Sequence, residues 1–140
     1  MVKANTTRLG INSVDIVPYE EVYNSLSRFD CILLDVPCSN TGVLAKRIDV
    51  RYRIKSKAIG ELACLQSKLL RTAAEMVRPS GKICYCTCSI QKIENDSLIE
   101  NFLKQNQNFA LESQQLTLPS TEGFDHDGGY IAILIKHNKT

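Results

Sequence analysis

The order of apolar and polar positions divides the chain into strands alternating with helices. Phe29-Asp30-Cys31-Ile32-Leu33-Leu34-Asp35-Val36 is an apolar run ended by a carboxylate and stopped by Pro37, the pattern of a strand buried on both faces. From about Ile59 to Val77 the period lengthens. Leu62, Leu65, Leu69, Ala73 and Met76 recur every three or four residues and predict one apolar face of a helix. Arg78 places positive charge at that helix end, and Pro79-Ser80-Gly81 predicts a turn into a strand from Lys82 to about Cys88. A helix from about Ile93 to Gln105 follows. Strands around Phe109–Leu118 and Tyr130–Lys136 then flank a polar loop rich in Gly, Asp and His. Upstream, Val2–Leu9 reads as the end of a helix and Ser13–Val17 as a short strand. Pro18 suits the first turn of a helix through about Leu26. Strand alternating with helix predicts an α/β fold, a mostly parallel sheet with helices on both faces.

Composition narrows the class without naming an activity. A chain of 140 residues, 44% hydrophobic and 23% charged, has the length of one domain and the make-up of a globular protein. Disorder, collagen-like repeats and a small disulfide scaffold are excluded. The longest apolar run, Tyr130–Ile135, is too short to cross a bilayer, and Met1–Thr7 turns polar at once, unlike a signal peptide. The expectation is a soluble, cytoplasmic protein. Net charge is only +2, but between Ala45 and Lys57 six basic residues (Lys46, Arg47, Arg51, Arg53, Lys55, Lys57) face Asp49 alone. The rest of the chain then carries 11 basic and 14 acidic residues, so a mildly acidic body bears one basic stripe. With Tyr52 inside it, the stripe suits an RNA backbone and a stacked base; a solvated surface segment is the alternative.

Six cysteines raise the question of disulfides or a metal. Cys84, Cys86 and Cys88 alternate along one predicted strand, which puts all three on one face about 6–7 Å apart, too spread to converge on one zinc. No Cys-x-x-Cys pair occurs, so the expectation is reduced thiols and no metal. Cys31, Cys64, Cys84 and Cys86 are read as small packing residues. In α/β sheets the ligand site lies at the carboxyl ends of the strands. Two such ends here carry a thiol: Asp35-Val36-Pro37-Cys38-Ser39-Asn40-Thr41-Gly42, and Thr87-Cys88-Ser89 fifty residues on.

Together these motifs resemble those of the RNA cytosine-5 methyltransferases of the Nop/Sun, or RsmB-like, family. Leu65-Gln66, Glu94-Asn95 and Asp127-Gly128-Gly129-Tyr130 extend the likeness, which runs from about Leu9 to Lys136. The resemblance implies a Rossmann-like fold, S-adenosylmethionine as cofactor, and rRNA or tRNA as substrate. It implies Cys88 as the nucleophile that adds to carbon 6 of cytosine and activates carbon 5. Asp35 would stabilise the charge that develops and lie beside the cofactor, and Cys38 would aid release. Lys46, Arg47, Arg51 and Arg53 are the RNA-binding candidates, and the target base is expected to leave any stacking on entry.

The sequence departs from the family pattern in places. Lys92-Ile93-Glu94-Asn95 stands for Pro-Glu-Glu-Asn, Arg47-Ile48 for a His-Pro or Asn-Pro pair, and Gly129 for a common aromatic. These bear on substrate choice and loop shape more than on the core reaction. No Gly-rich cofactor loop precedes Asp35, so residues 1–140 are expected to be the C-terminal portion of one catalytic domain, without the N-terminal strands. In the family's sheet those strands lie between the third and fourth. Without them the Phe29–Val36 strand would have an unpaired apolar edge and the chain would depend on a preceding segment or partner chain. Two other readings stay open: an RNA-binding fragment without catalysis, and a DNA cytosine-5 methyltransferase using Cys38.

Overall fold

Four strands account for most of the order in the chain. The computed structural model describes residues 2–22, 28–120 and 126–138, apart from the side chains of Tyr19, Glu20 and Arg53. The Phe29 run forms β1 (Phe29–Asp35), followed by the short helix α3 (Val50–Arg53) and the long helix α4 (Ser56–Met76); α1 (Val2–Arg8) and α2 (Tyr19–Val22) precede it. Then come β2 (Val77–Thr87), α5 (Asp96–Gln105), β3 (Phe109–Thr117) and β4 (Gly129–Lys136). The sheet order is β1-β2-β4-β3.

Three of the four described strands, β1, β2 and β3, run in one direction, as expected of a mostly parallel sheet, and the last strand is the exception. β1 and β2 are parallel, with Asp35 opposite Cys86, but β4 is antiparallel to both β2 and β3. The link from β3 to β4 contains no helix among the described residues and turns the chain straight back, which yields an antiparallel neighbour. β3 therefore runs parallel to β2, as a strand–helix–strand unit requires, and β4 returns between them.

Helices on both faces are not found among the described residues. α4 packs on β1 and β2, α5 on β3, and the two helices touch each other, so both cover one face. Ile83, Tyr85 and Thr87 of β2, with Tyr130, Ala132 and Leu134 of β4, point into that layer and are buried. Leu70, Ala73, Ile99 and Phe102 fill it from the helix side, and Phe102 meets Phe109 edge to face at 5.3 Å. The opposite face is open. Leu33 is 71% exposed there, in line with Cys31 and Asp35, so β1 is not buried on both sides. β1 is also an edge strand of the described sheet.

Smaller differences have local causes. The buried stripe of α4 is Gln66, Leu70, Ala73, Ala74 and Met76, while Leu65 is 43% exposed. Ala73 and Met76 are buried as expected, and the stripe shifts by one position only earlier in the helix, where Gln66 enters a buried polar cluster. Ser13–Val17 forms no strand, and Val14, Ile16 and Val17 are exposed. No described strand lies beside it to take its backbone hydrogen bonds. The helix expected through Leu26 is seen as α2 to Val22, and residues 23–27 lie outside the described residues. Pro79-Ser80-Gly81 turns within β2 rather than before it. The register jumps there from Phe29 opposite Val77 to Cys31 opposite Lys82, with Ser80 at φ 63°.

Candidate active site

The carboxyl ends of β1 and β2 open side by side because the two strands are parallel neighbours. Three residues beyond Asp35 and two beyond Cys86, the chain brings Cys38 and Cys88 together, with their Sγ atoms 3.1 Å apart. Cys88 donates to Asn40 Oδ1 at 2.9 Å, while Asn40 Nδ2 donates to the Cys38 carbonyl at 3.0 Å. Asn40 holds this pose with φ 58°, a left-handed conformation that asparagine tolerates better than most residues. Asp35, Val36, Pro37, Cys38, Asn40 and Cys88 line one open cleft of about 350 Å³. The three residues singled out as chemical groups thus share a single wall.

Burial sorts the thiols. Cys38 is buried, and desolvation followed by its hydrogen bond with Cys88 pushes its pKa up to about 12. Cys86 is pushed up to about 11 by burial and then by the Asp35 carboxylate. Cys84 also moves up, chiefly through burial. The expectation of plain packing fails for Cys31 and Cys64, which are exposed: one lies on the open sheet face, the other on the outer side of α4.

Beneath the thiols lies a polar cluster. Glu94 is fully buried, and its carboxylate accepts from four donors. Oε1 takes the Ser39 backbone N–H and Gln66 Nε2, both at 2.9 Å; Oε2 takes the hydroxyls of Ser39 and Ser89 at 2.5 Å. Gln66 Nε2 also donates to the Pro37 carbonyl at 2.9 Å. Asn95, equally buried, accepts from Thr87 Oγ1 and donates to the Ser89 carbonyl, each at 2.8 Å. Gly42 closes the cluster from the other side. Its N–H donates to the Cys88 carbonyl at 2.9 Å and its carbonyl accepts from Gly128 N–H at 2.8 Å.

That last contact brings the basic stripe to the same end of the sheet. Lys46 pairs with Asp127 at 2.6 Å. Arg47 and Arg51 are exposed and make no ion pair among the described residues, and Tyr52 is 83% exposed beside them. The Arg53 side chain lies outside the described residues. Sequence reading gave no role to Asn40, Ser39 or Ser89. Gln66 and Glu94 stood out only as marks of a likeness, and their signal was polar residues at positions a buried helix face and a turn would otherwise fill with apolar ones. For S-adenosylmethionine, the residues present fit one side of a site. Asp35 is exposed at the strand end against the thiol cleft, and no Gly-rich loop lies among the described residues to cradle the other side.

The parallel β1–β2 pair with an antiparallel final strand is shared with a methyltransferase homologue from Pyrococcus horikoshii, with TM-score 0.73 at 25% identity, over 96% of this chain and 48% of that one. That fold places the chain in the Rossmann-like class of S-adenosylmethionine-dependent methyltransferases. Comparison with known proteins narrows the class. The sequence matches the family described as 16S rRNA methyltransferase RsmB/F over residues 1–139, and the chain belongs to that family. It is 38% identical over 116 residues to ribosomal RNA small subunit methyltransferase B of Salmonella arizonae, covering 78% of this chain and 27% of that protein. A probable ribosomal RNA small subunit methyltransferase B of Synechocystis sp. is 33% identical over 94% of this chain and 30% of its own length. The crystal structure of PH0851 superposes with TM-score 0.87 at 30% identity, over 96% of this chain and 34% of that one. NSun6 from Pyrococcus horikoshii, determined with SFG, shares the fold with TM-score 0.76 at 23% identity, over 98% of this chain and 38% of its own. The chain thus spans about a third or less of the curated relatives it matches. No described helix is long and apolar enough to cross a membrane.

Proposed function

We propose that this chain carries the thiol chemistry of an S-adenosylmethionine-dependent RNA methyltransferase acting on carbon 5 of cytosine in rRNA or tRNA. The observation that carries the reading is the Cys38–Cys88 pair at 3.1 Å in one cleft with Asp35. As a thiolate, Cys88 adds to carbon 6 of the base, forming a C–S bond and shifting the C5=C6 electron pair towards the ring so that carbon 5 becomes nucleophilic. The Asp35 carboxyl group, at the rim of the cleft, stabilises the charge that builds on the ring nitrogen. Asp35 would hold one side of S-adenosylmethionine, which when bound would supply the methyl group for carbon 5. Cys38, once its own thiol proton has passed to solvent, takes the carbon 5 proton; that C–H electron pair restores the C5=C6 double bond as the C–S bond breaks and frees Cys88 as a thiolate.

Titration supports this division of labour. Burial and Cys88 keep Cys38 a neutral thiol before reaction, which favours Cys88 as nucleophile over the DNA-enzyme arrangement with Cys38. Once Cys88 is bound to carbon, its hydrogen bond and charge no longer add to the burial that raises Cys38, which makes Cys38 a better base than in the free pair. Arg47, Arg51 and Tyr52, with Lys46 and Arg53, form the RNA-facing stripe in this reading. Residues 1–140 then act as the C-terminal portion of one cytoplasmic catalytic domain. A preceding segment or partner chain covers the open sheet face at Leu33 and completes the cofactor site.

The test is trapping with RNA and DNA containing 5-fluorocytosine, with cofactor and the preceding segment of a full-length relative supplied. The expected result is a covalent RNA adduct retained in Cys38→Ala and absent in Cys88→Ala. An adduct with DNA lost only in Cys38→Ala, or RNA binding with no adduct, overturns the reading.

A further inference from the structure

Glu94 touches neither thiol and belongs to neither cysteine motif, yet both motifs end on it. Ser39 follows Cys38 and Ser89 follows Cys88; the two serines are 3.1 Å apart and both donate to Glu94 Oε2. Thr41 Oγ1 bridges the same two hydroxyls at 3.3 and 3.1 Å. The Ser39 backbone N–H and Gln66, which also grips the Pro37 carbonyl, complete the ring on Oε1. Two loops fifty residues apart therefore share one buried acceptor, each through the residue that follows its thiol. Tyr85 anchors that acceptor's own backbone, its hydroxyl donating to the Glu94 carbonyl at 2.7 Å.

We infer that Glu94 is a positioning residue that sets the separation of the Cys38 and Cys88 sulfurs, acting through Ser39 and Ser89. The inference deepens the proposed reaction and rests on it for its purpose, since release needs Cys38 close to the sulfur it frees. Its geometry stands independently of that reaction. A carboxylate has only acceptors, which suits four converging donors; no neutral side chain of that size does the same. A glutamine at position 94 would put an NH2 group against either the Ser39 N–H and Gln66 or the two hydroxyls. In the first pose donors oppose donors; in the second both serines must reverse. Either way the charge-assisted bonds that draw the two loops together are lost, and in the second pose only weaker neutral bonds of reversed direction replace them.

The experiment measures how readily the thiols find each other, without substrate. Equilibrating the whole chain with glutathione and its disulfide lets Cys38 and Cys88 pass two electrons and two protons to the glutathione disulfide, forming one protein disulfide and two glutathione thiols. The equilibrium ratio gives the effective concentration of the pair, with Cys38→Ser as the blank. Glu94→Gln is expected to lower that concentration tenfold or more, and Ser39→Ala or Ser89→Ala about threefold each. Leu70→Ala, in the core and outside the ring, lowers global stability and leaves the ratio within twofold. Values within twofold of the parent for Glu94→Gln overturn the inference. If that variant does not fold, the same result for both serine variants overturns it, and so does a drop in Leu70→Ala as large as theirs. A Glu94-dependent pair in a chain that forms no 5-fluorocytosine adduct sinks the proposed reaction and leaves the positioning role standing.

Discussion

Replacing Gly42 by alanine tests how tightly three segments close over the thiols. A Cβ at residue 42 would lie 2.6 Å from the Gly128 carbonyl carbon and 2.9 Å from the Cys88 carbonyl oxygen, and both obstacles are backbone. Ordinary contact starts near 3.4 Å, so the segments must part by about 0.8 Å or more. Forced overpacking of this kind costs about 1–3 kcal/mol. Parting the segments also weakens the Gly42–Cys88 and Gly128–Gly42 hydrogen bonds, worth roughly 1 kcal/mol each. A total of about 2–5 kcal/mol is a large share of a typical domain's stability. Urea denaturation should show the midpoint falling by roughly 1 M or more for a chain of this size. The control is Gly60→Ala. Gly60 sits in α4 with open space around its Cα, so alanine should raise stability by about 0.5–1 kcal/mol. Gly42→Ala within about 0.5 kcal/mol of the parent, with Gly60→Ala behaving as stated, would refute the closure argument.

Three further outcomes follow from the same geometry. Folded Cys38 holds its proton up to about pH 12 while the unfolded thiol loses it near 9.0. Its contribution is thus complete below pH 9 and lost as pH climbs towards 12, at up to about 1.4 kcal/mol per pH step. Denaturation at about pH 8 and pH 10 should show the parent losing roughly 1–2 kcal/mol more than Cys38→Ala; equal losses contradict the buried neutral thiol. For RNA, replacing Arg47 and Arg51 together by alanine should reduce the slope of log affinity against log salt by about 1.4, read by fluorescence anisotropy. An unchanged slope removes both from the interface. On the sheet, Leu33→Lys should leave stability within about 0.5 kcal/mol and reduce light scattering on concentration, because that side chain is 71% exposed. A loss above about 2 kcal/mol would mean that the face is covered in solution.

Much of the architecture was legible because it depends on local pattern. The apolar run ending at Asp35, the three-to-four spacing before Val77 and the alternation after Lys82 each named an element to within a few residues. The two cysteine motifs were legible as strand ends for the same reason, and with them Asp35. The direction of the last strand was not, because a run such as Tyr130–Ile135 reads identically whether it pairs parallel or antiparallel. The open face at Leu33 was also hidden: apolar residues on both sides of β1 say what the strand would bury, not whether anything is there to bury it. Exposed Cys31 and Cys64 follow from that uncovered face and from the phase of α4.

The sequence alone therefore established the kinds of chemical group present, the elements that carry them and the family pattern they follow. Residues within a helical turn or a strand constrain one another through covalent geometry and side-chain period. Tertiary structure decided everything that depends on residues far apart in the chain meeting. It brought Cys38 to 3.1 Å from Cys88 and, by burial, pushed the Cys38 pKa up. It also turned Gln66 inward and gathered Ser39 and Ser89 onto Glu94. The physical reason is that a buried carboxylate must find donors wherever the fold supplies them, and here the donors come from both thiol loops at once.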